Sequence, residues 1–299
     1  MPPVKRAAAT YRPPSEHYEN FPVASWLCPR HLRPPIAAIY WFARTADDLA
    51  DEGDTSAEGR LADLAQFRRD LRLAADAQPH SGRWPQVFDA LAPMLDQFQL
   101  PLDQLEALLD AFEQDVRYTA QQRRYQTDAE LLDYCARSAN PVGRLLLHLY
   151  GVQDATALLR SDQICTALQL INFWQDVRTD IGRARWYPST EQMQRHGVRD
   201  ADLLADTDCP AAARMLADYA DAAAAMMHRG APLALQLPGR AGWELRLVIQ
   251  GGLRIVEKMR AMHHATWRGR PQLVKADIPL LLWRAWRMPA TRRREPAPA

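Results

Sequence analysis

The chain has 299 residues, 47% hydrophobic and 24% charged, with a formal net charge of +1, the balance of a globular protein large enough to bury a sizeable core. That charge gives no support to bulk nucleic-acid binding, and no apolar run of about 18 residues predicts a membrane span. Basic residues near the N-terminus are followed by no signal-peptide core, so the expected location is cytoplasmic.

Taken in order, the segments read as helix after helix. The first, "PPIAAIYWFARTADDLADEG", is apolar and ends in a cluster of acids. "AEGRLADLAQFRRDLRLAADA" spaces Leu61, Leu64, Phe67, Leu71 and Leu73 close to a helical stripe. "PLDQLEALLDAFEQDVRYTAQQ" repeats the pattern, as do "TDAELLDYCARSANPVGRLLLHLYG", "DQICTALQLINFWQDVRTDIG", "PAAARMLADYADAAAAMMHRG" and "GWELRLVIQGGLRIVEKMRAMHHATW". Thr127 to Glu130 predicts a capped start, the hydroxyl serving first-turn amides while the glutamate reaches back. Alternating strand-like segments are missing, so the predicted class is all-α: one domain over residues 17–288, with loose tails at 1–16 and 289–299. Cys28, Cys135, Cys165 and Cys209 are far apart and form no CxxC pair; they read as buried small hydrophobes rather than a disulfide framework or zinc site.

Two distant segments are alike. "IYWFARTADDLAD" and "ALQLINFWQDVRTD" each close an apolar helical segment with aspartates four residues apart, Asp47 with Asp51 and Asp176 with Asp180. On a helix that spacing puts both carboxylates on one face. A single such pair is most simply a solvated helix end. Two pairs, each behind a long apolar run and each with arginines nearby (Arg44; Arg178, Arg183, Arg185), point instead to one cavity holding Mg²⁺ between carboxylates and phosphate. Arginine supplies permanent charge and forked donors for diphosphate oxygens. For Arg44 a salt bridge to Asp48 is an equal alternative.

These residues resemble the squalene and phytoene synthase family, from about His17 to Leu280. "RTADDLAD" is similar to its first aspartate-rich motif and "LQLINFWQDVRTD" to its second; Tyr134-Cys135, Val142-Gly143 and Asp115 in "EQDVRY" also match. The resemblance implies an all-α isoprenoid-synthase fold with a central cavity between two aspartate-lined walls. It implies metal or metal-shell roles for Asp47, Asp51, Asn172, Asp176 and Asp180, and prenyl diphosphate contacts for Asn20, Tyr40, Arg44 and Gln169, joined here by Gln175 and Arg185. Phe21, Tyr40 and Asp48 are the expected catalytic residues, with Phe21 near the reacting chain. The chain departs from the family at Gln175, where an arginine is usual, and at Asn20-Phe21-Pro22 and Tyr187-Pro188. "ENFPVASWL" and "NFWQDV" resemble the bacterial hydroxysqualene synthase branch.

The expected reaction is Mg²⁺-assisted ionisation of presqualene diphosphate, rearrangement, and capture of the cation by water. Aromatic faces would stabilise the cation, and Phe21, Tyr40, Trp41, Phe173 and Trp174 stand near the motifs, each of them equally at home in ordinary core. No GxGxxG fingerprint, HExxH or GxSxG is present. The alternatives are a condensing enzyme that joins two prenyl diphosphates into presqualene diphosphate or phytoene, which Gln175 counts against, and a non-catalytic assembly protein of the same fold. Expected partners are the prenyl diphosphate substrate and other squalene-pathway enzymes in a hand-over, with no nucleic acid. The basic "RMPATRRREP" reads as a solvated tail or as a peripheral contact with anionic lipid.

Overall fold

The computed structural model describes residues 28–237 and 239–288. Among them there are helices and no strand, as the periodicity predicts. In chain order these are α1 (Arg33–Asp51), α2 (Ala57–Ala75), α3 (Pro85–Phe98), α4 (Leu102–Ala120), α5 (Asp128–Ser138), α6 (Asn140–Leu149), α7 (Ala155–Gln175), α8 (Val177–Gly182), α9 (Thr190–His196), α10 (Asp200–Leu204), α11 (Pro210–Gly230), α12 (Leu233–Gln236), α13 (Gly239–Ala261) and α14 (Ile278–Arg287).

One apolar cluster binds α1 to α2, α3 and α4. Ala38, Ile39, Phe42, Ala46 and Ala50 form the buried stripe of α1, a spacing of three or four that leaves Arg44, Asp47 and Asp51 on another side. Phe67 sits at the middle of this cluster, with ring centroids 5.1 Å from Phe42, 4.8 Å from Phe88 and 5.1 Å from Trp84. Burying Phe42 completely is worth about 2–3 kcal/mol and fixes the rotation of α1.

The second cluster is built around α7, with α5, α11 and α13 against it. Helix α7 buries Ile164, Ala167, Leu170, Ile171, Phe173 and Trp174; a helix apolar on most sides belongs at the centre of a bundle. Helix α11 crosses α7 at Gly230, where an added Cβ would meet the Arg160 carbonyl oxygen at 2.6 Å. Only glycine allows that approach.

Two predicted helices are broken. The stretch from Thr127 to Gly151 divides at Ala139 into α5 and α6, because Pro141 lacks the N–H that would continue the ladder. Asn140, just inside the new helix, accepts a buried hydrogen bond from Thr166 of α7 at 2.9 Å. The second aspartate motif divides at Asp176, whose φ of −108° and ψ of 13° separate α7 from α8. The Thr127 cap is present, its hydroxyl accepting from the Glu130 amide at 3.3 Å, while Glu130 reaches one residue farther back than predicted, to the Gln126 amide at 2.7 Å. All four cysteines are free thiols; Cys28 and Cys135 are buried, Cys165 and Cys209 only half-buried. No helix among the described residues is long and apolar enough to cross a membrane.

Candidate active site

A cavity of about 550 Å³ opens between the C-terminal end of α1, the second half of α4 and the segment after α8. Its walls carry Arg44, Asp47, Asp51 and Glu52 from the first motif, Arg60 from α2, Asp115 and Thr119 from α4, and Arg183 and Arg185 from beyond the second motif. The volume suits a small-molecule ligand, and the lining suits one end of that ligand being strongly anionic.

The acids and arginines of this cavity are interlocked. Arg44 lies 2.6 Å from Asp48, 3.1 Å from Glu52 and 3.6 Å from Asp47. The Arg44–Asp48 bridge is therefore present, and the same guanidinium also reaches the cavity. Arg185 is paired with Asp51 across the cavity, tying the segment after α8 to the end of α1. Arg60 donates to the Gly53 carbonyl at 2.6 Å and the Thr55 carbonyl at 3.1 Å, closing the loop from α1 to α2.

Asp115 stands between the two motifs. It accepts a hydrogen bond from the Tyr134 hydroxyl at 2.5 Å. Burial pushes its pKa up to about 7; the Tyr134 bond opposes that rise, and the charges of Asp47 and Asp180 add to it. Asp180 is pushed up to about 8 by burial and then by neighbouring Asp176, against Arg183 and Arg270. Asp47 is raised by burial, with Arg44 and Arg185 pulling the other way. Each of the three carboxylates is raised by burial and by at least one neighbouring acid, and Asp115 feels both Asp47 and Asp180, an arrangement that a cation would relieve. Beneath Asp115 lie stacked aromatics: Phe173 on Tyr187 at 3.6 Å between centroids, and Tyr134 6.2 Å from Phe173.

The second motif differs from expectation. Neither Asp176 nor Asp180 lines the cavity, and among the described residues no group of three His, Cys, Asp or Glu side chains is arranged to hold a metal ion. Asp176 is gripped by Arg270, a residue of the stretch between α13 and α14, through its Nε and its Nη2, the latter 3.1 Å away. Helical hydrogen bonds continue on either side of the break: the Asp176 amide donates to the Asn172 carbonyl and the Asp180 amide to the Asp176 carbonyl, each at 2.9 Å. The two acids therefore stay one turn apart.

Other expected residues fall in varied places. Gln175 is corrected: it is 1% exposed and donates to the Pro271 carbonyl at 2.6 Å, so it belongs to the interior and not to a diphosphate shell. Asp48 is engaged with Arg44 and lies outside the cavity lining. Tyr40 is half-buried, edge-on to Trp41 at 5.4 Å and within electrostatic reach of Arg44, but outside the lining. Gln169 and Asn172 are half-buried on α7. Trp41 is 40% exposed and Trp174 stacks on Tyr219 in the core at 4.0 Å, so neither faces the cavity. Arg178 points away, to Asp206 at 3.4 Å. Asn20 and Phe21 lie outside the described residues.

Comparison with known proteins gives the family. The squalene/phytoene synthase family profile matches residues 15–277. A hydroxysqualene synthase from Rhodopseudomonas palustris is 33% identical over 245 residues, 81% of this chain and 80% of its own length. A presqualene diphosphate synthase from the same organism is 31% identical over 204 residues, 67% of this chain and 70% of its own. Among solved structures, a squalene synthase, HpnC, from Alicyclobacillus acidocaldarius superposes with a TM-score of 0.74 at 33% identity, covering 83% of this chain and 90% of that one. The chain belongs to the squalene/phytoene synthase family.

Proposed function

We propose that the chain is a hydroxysqualene synthase, which takes presqualene diphosphate to hydroxysqualene and diphosphate. The observation that carries this reading is the convergence of Asp47, Asp51 and Asp115 with Arg44, Arg183 and Arg185 on one cavity, in a chain 33% and 37% identical to two hydroxysqualene synthases and 31% identical to a presqualene diphosphate synthase. The charge argument from Gln175 no longer contributes, since that side chain is turned into the interior.

The donor set fits Mg²⁺: hard carboxylate oxygens, with Asp47, Asp115 and Asp180 each raised by burial and by like charge. Asp47 and Asp51 of the cavity wall are the residues that would hold it, with Asp180, which lies outside the lining but within electrostatic reach of Asp115, and Asp176 joining only if the second motif moves toward them and Arg270 lets go. Bound there, Mg²⁺ supplies charge neutralisation for the departing diphosphate. Arg44, Arg183 and Arg185 would orient the diphosphate, Arg44 and Arg185 exchanging their carboxylate partners for its oxygens. The carbon–oxygen bond breaks with its electron pair leaving on diphosphate; water then forms the new carbon–oxygen bond and releases a proton. Tyr134, hydrogen-bonded to Asp115 of the cavity wall, is the residue we take to offer a π-face to the cation, backed by the buried pair Phe173 and Tyr187. The reaction places the protein in squalene and hopanoid biosynthesis in the cytoplasm.

The test offers presqualene diphosphate and farnesyl diphosphate separately, each with Mg²⁺ and no NADPH. Diphosphate should be released from presqualene diphosphate alone, and Asp176→Asn should lower that rate at least about a hundredfold with helix content unchanged. Conversion of farnesyl diphosphate to presqualene diphosphate, or phytoene formation from a longer prenyl diphosphate, would move the chain to the condensing branch. A folded protein that turns over no prenyl diphosphate would fit an assembly role instead.

A further inference from the structure

We propose that α14 is an in-plane docking helix for an anionic bilayer surface. The inner side of the helix is fixed to the body: Ala285 is fully buried, Arg284 reaches Glu257 of α13 at 2.6 Å, and Asp277, just before the helix, is held by Lys258 at 2.6 Å and Arg254 at 2.9 Å. The outer side is apolar and open. Ile278 is 52% exposed, Leu282 49%, Trp283 52% and Trp286 68%. Ile278, Leu282 and Trp286 follow one another at i, i+4 and Pro279 with Trp283 runs beside them, so they share an arc about 140° wide. With Val274, five of the ten large hydrophobic residues exposed among the described residues lie between Val274 and Trp286. Such a concentration marks a contact surface rather than ordinary exterior.

Charge identifies the occupant. From Ile278 to Met288 the sequence has no Asp or Glu, and of its two arginines Arg284 is turned inward to Glu257 while Arg287 is exposed beside the apolar arc. Arg287 stands over the Trp283 ring at 5.2 Å, and exposed Lys275 precedes the helix. Tryptophan and leucine on one arc with arginine at its edge is the composition of a helix lying at the headgroup level of an anionic membrane. A second copy of the chain would bring the same cations against themselves across a two-fold axis, which is unfavourable. At ten residues the helix is far too short to span, so it lies flat.

The full chain should sediment with vesicles of phosphatidylcholine containing about one third phosphatidylglycerol, only weakly with phosphatidylcholine alone, and less as salt rises. The double substitution Trp283→Ser, Trp286→Ser should weaken vesicle binding about tenfold or more, with helix content and melting temperature unchanged because both rings are exposed. Arg287→Glu, which leaves the apolar arc intact, should also weaken binding to the anionic vesicles. Three results overturn the proposal: no sedimentation with anionic vesicles, equal sedimentation of the double variant, or a dimer in solution that the double variant dissolves, which would give the face to a second copy. Binding seen only after removal of residues 1–27 would likewise overturn it, by assigning the face to that segment.

Discussion

Arg270 holds both carboxylate oxygens of Asp176 through its Nε and Nη2, so the first aspartate of the second motif meets a cation that lies 94 positions farther along the chain. The pair sits beside Asp180, whose acidity Asp176 weakens and Arg270 strengthens. The protein itself thereby neutralises a carboxylate that we propose for metal binding.

Arg270→Gln should therefore destabilise the metal-free protein by about 1–3 kcal/mol, the value of charged hydrogen bonds lost at a partly buried site. In the presence of Mg²⁺ and inorganic diphosphate the deficit should shrink, because the cation takes over the neutralising role. Denaturant unfolding with and without these ligands measures it. Equal deficits under both conditions would mean that Arg270 serves the fold and does not stand in for metal.

Gln175 is tied to the Pro271 carbonyl in the interior, one residue from the arginine that grips Asp176. Gln175→Arg forces a longer cation into that space and should cost about 2–4 kcal/mol. Affinity for a diphosphate analogue, measured by calorimetry, should not rise. Tighter binding would return position 175 to the diphosphate shell.

Burial, with neighbouring carboxylates, pushes Asp115 up to about 7 and Asp180 up to about 8, above the usual carboxylate value of about 4. Between those limits the unfolded chain has lost both protons while the folded chain keeps them. The folded state binds more protons, so their contribution makes stability fall as pH rises from about 4 to about 8, then level off. Replacing both by asparagine should flatten this slope in metal-free protein, as read from denaturant midpoints across that range. An unchanged slope would assign the dependence to other groups.

Much of the fold is legible in sequence where local signals agree. Pro210 and Gly230 bracket α11 as predicted, and the stripe through Phe42 and Ala46 places Asp47 and Asp51 on one side of α1. Helix α3 gives a weaker signal, because Pro93 stands inside it. Asp115 is visible as part of a motif, yet its place between the two aspartate pairs depends on how α4 meets α1 and the region after α8. The break at Asp176 follows no proline or glycine; it is set by tertiary packing, including the Arg270 grip, which no local pattern carries. Helix α14 has a periodic outer face, but periodicity alone cannot say which side of an amphipathic helix meets the body.

Oxygen-18 labelling tests the proposed water capture most directly. Presqualene diphosphate incubated with the protein and Mg²⁺ in ¹⁸O-water, without NADPH, should give an alcohol of the squalene skeleton whose hydroxyl carries the heavy oxygen, seen by mass spectrometry as a shift of about two mass units. A hydrocarbon product, or an alcohol with unlabelled oxygen retained from the substrate, would contradict capture by water.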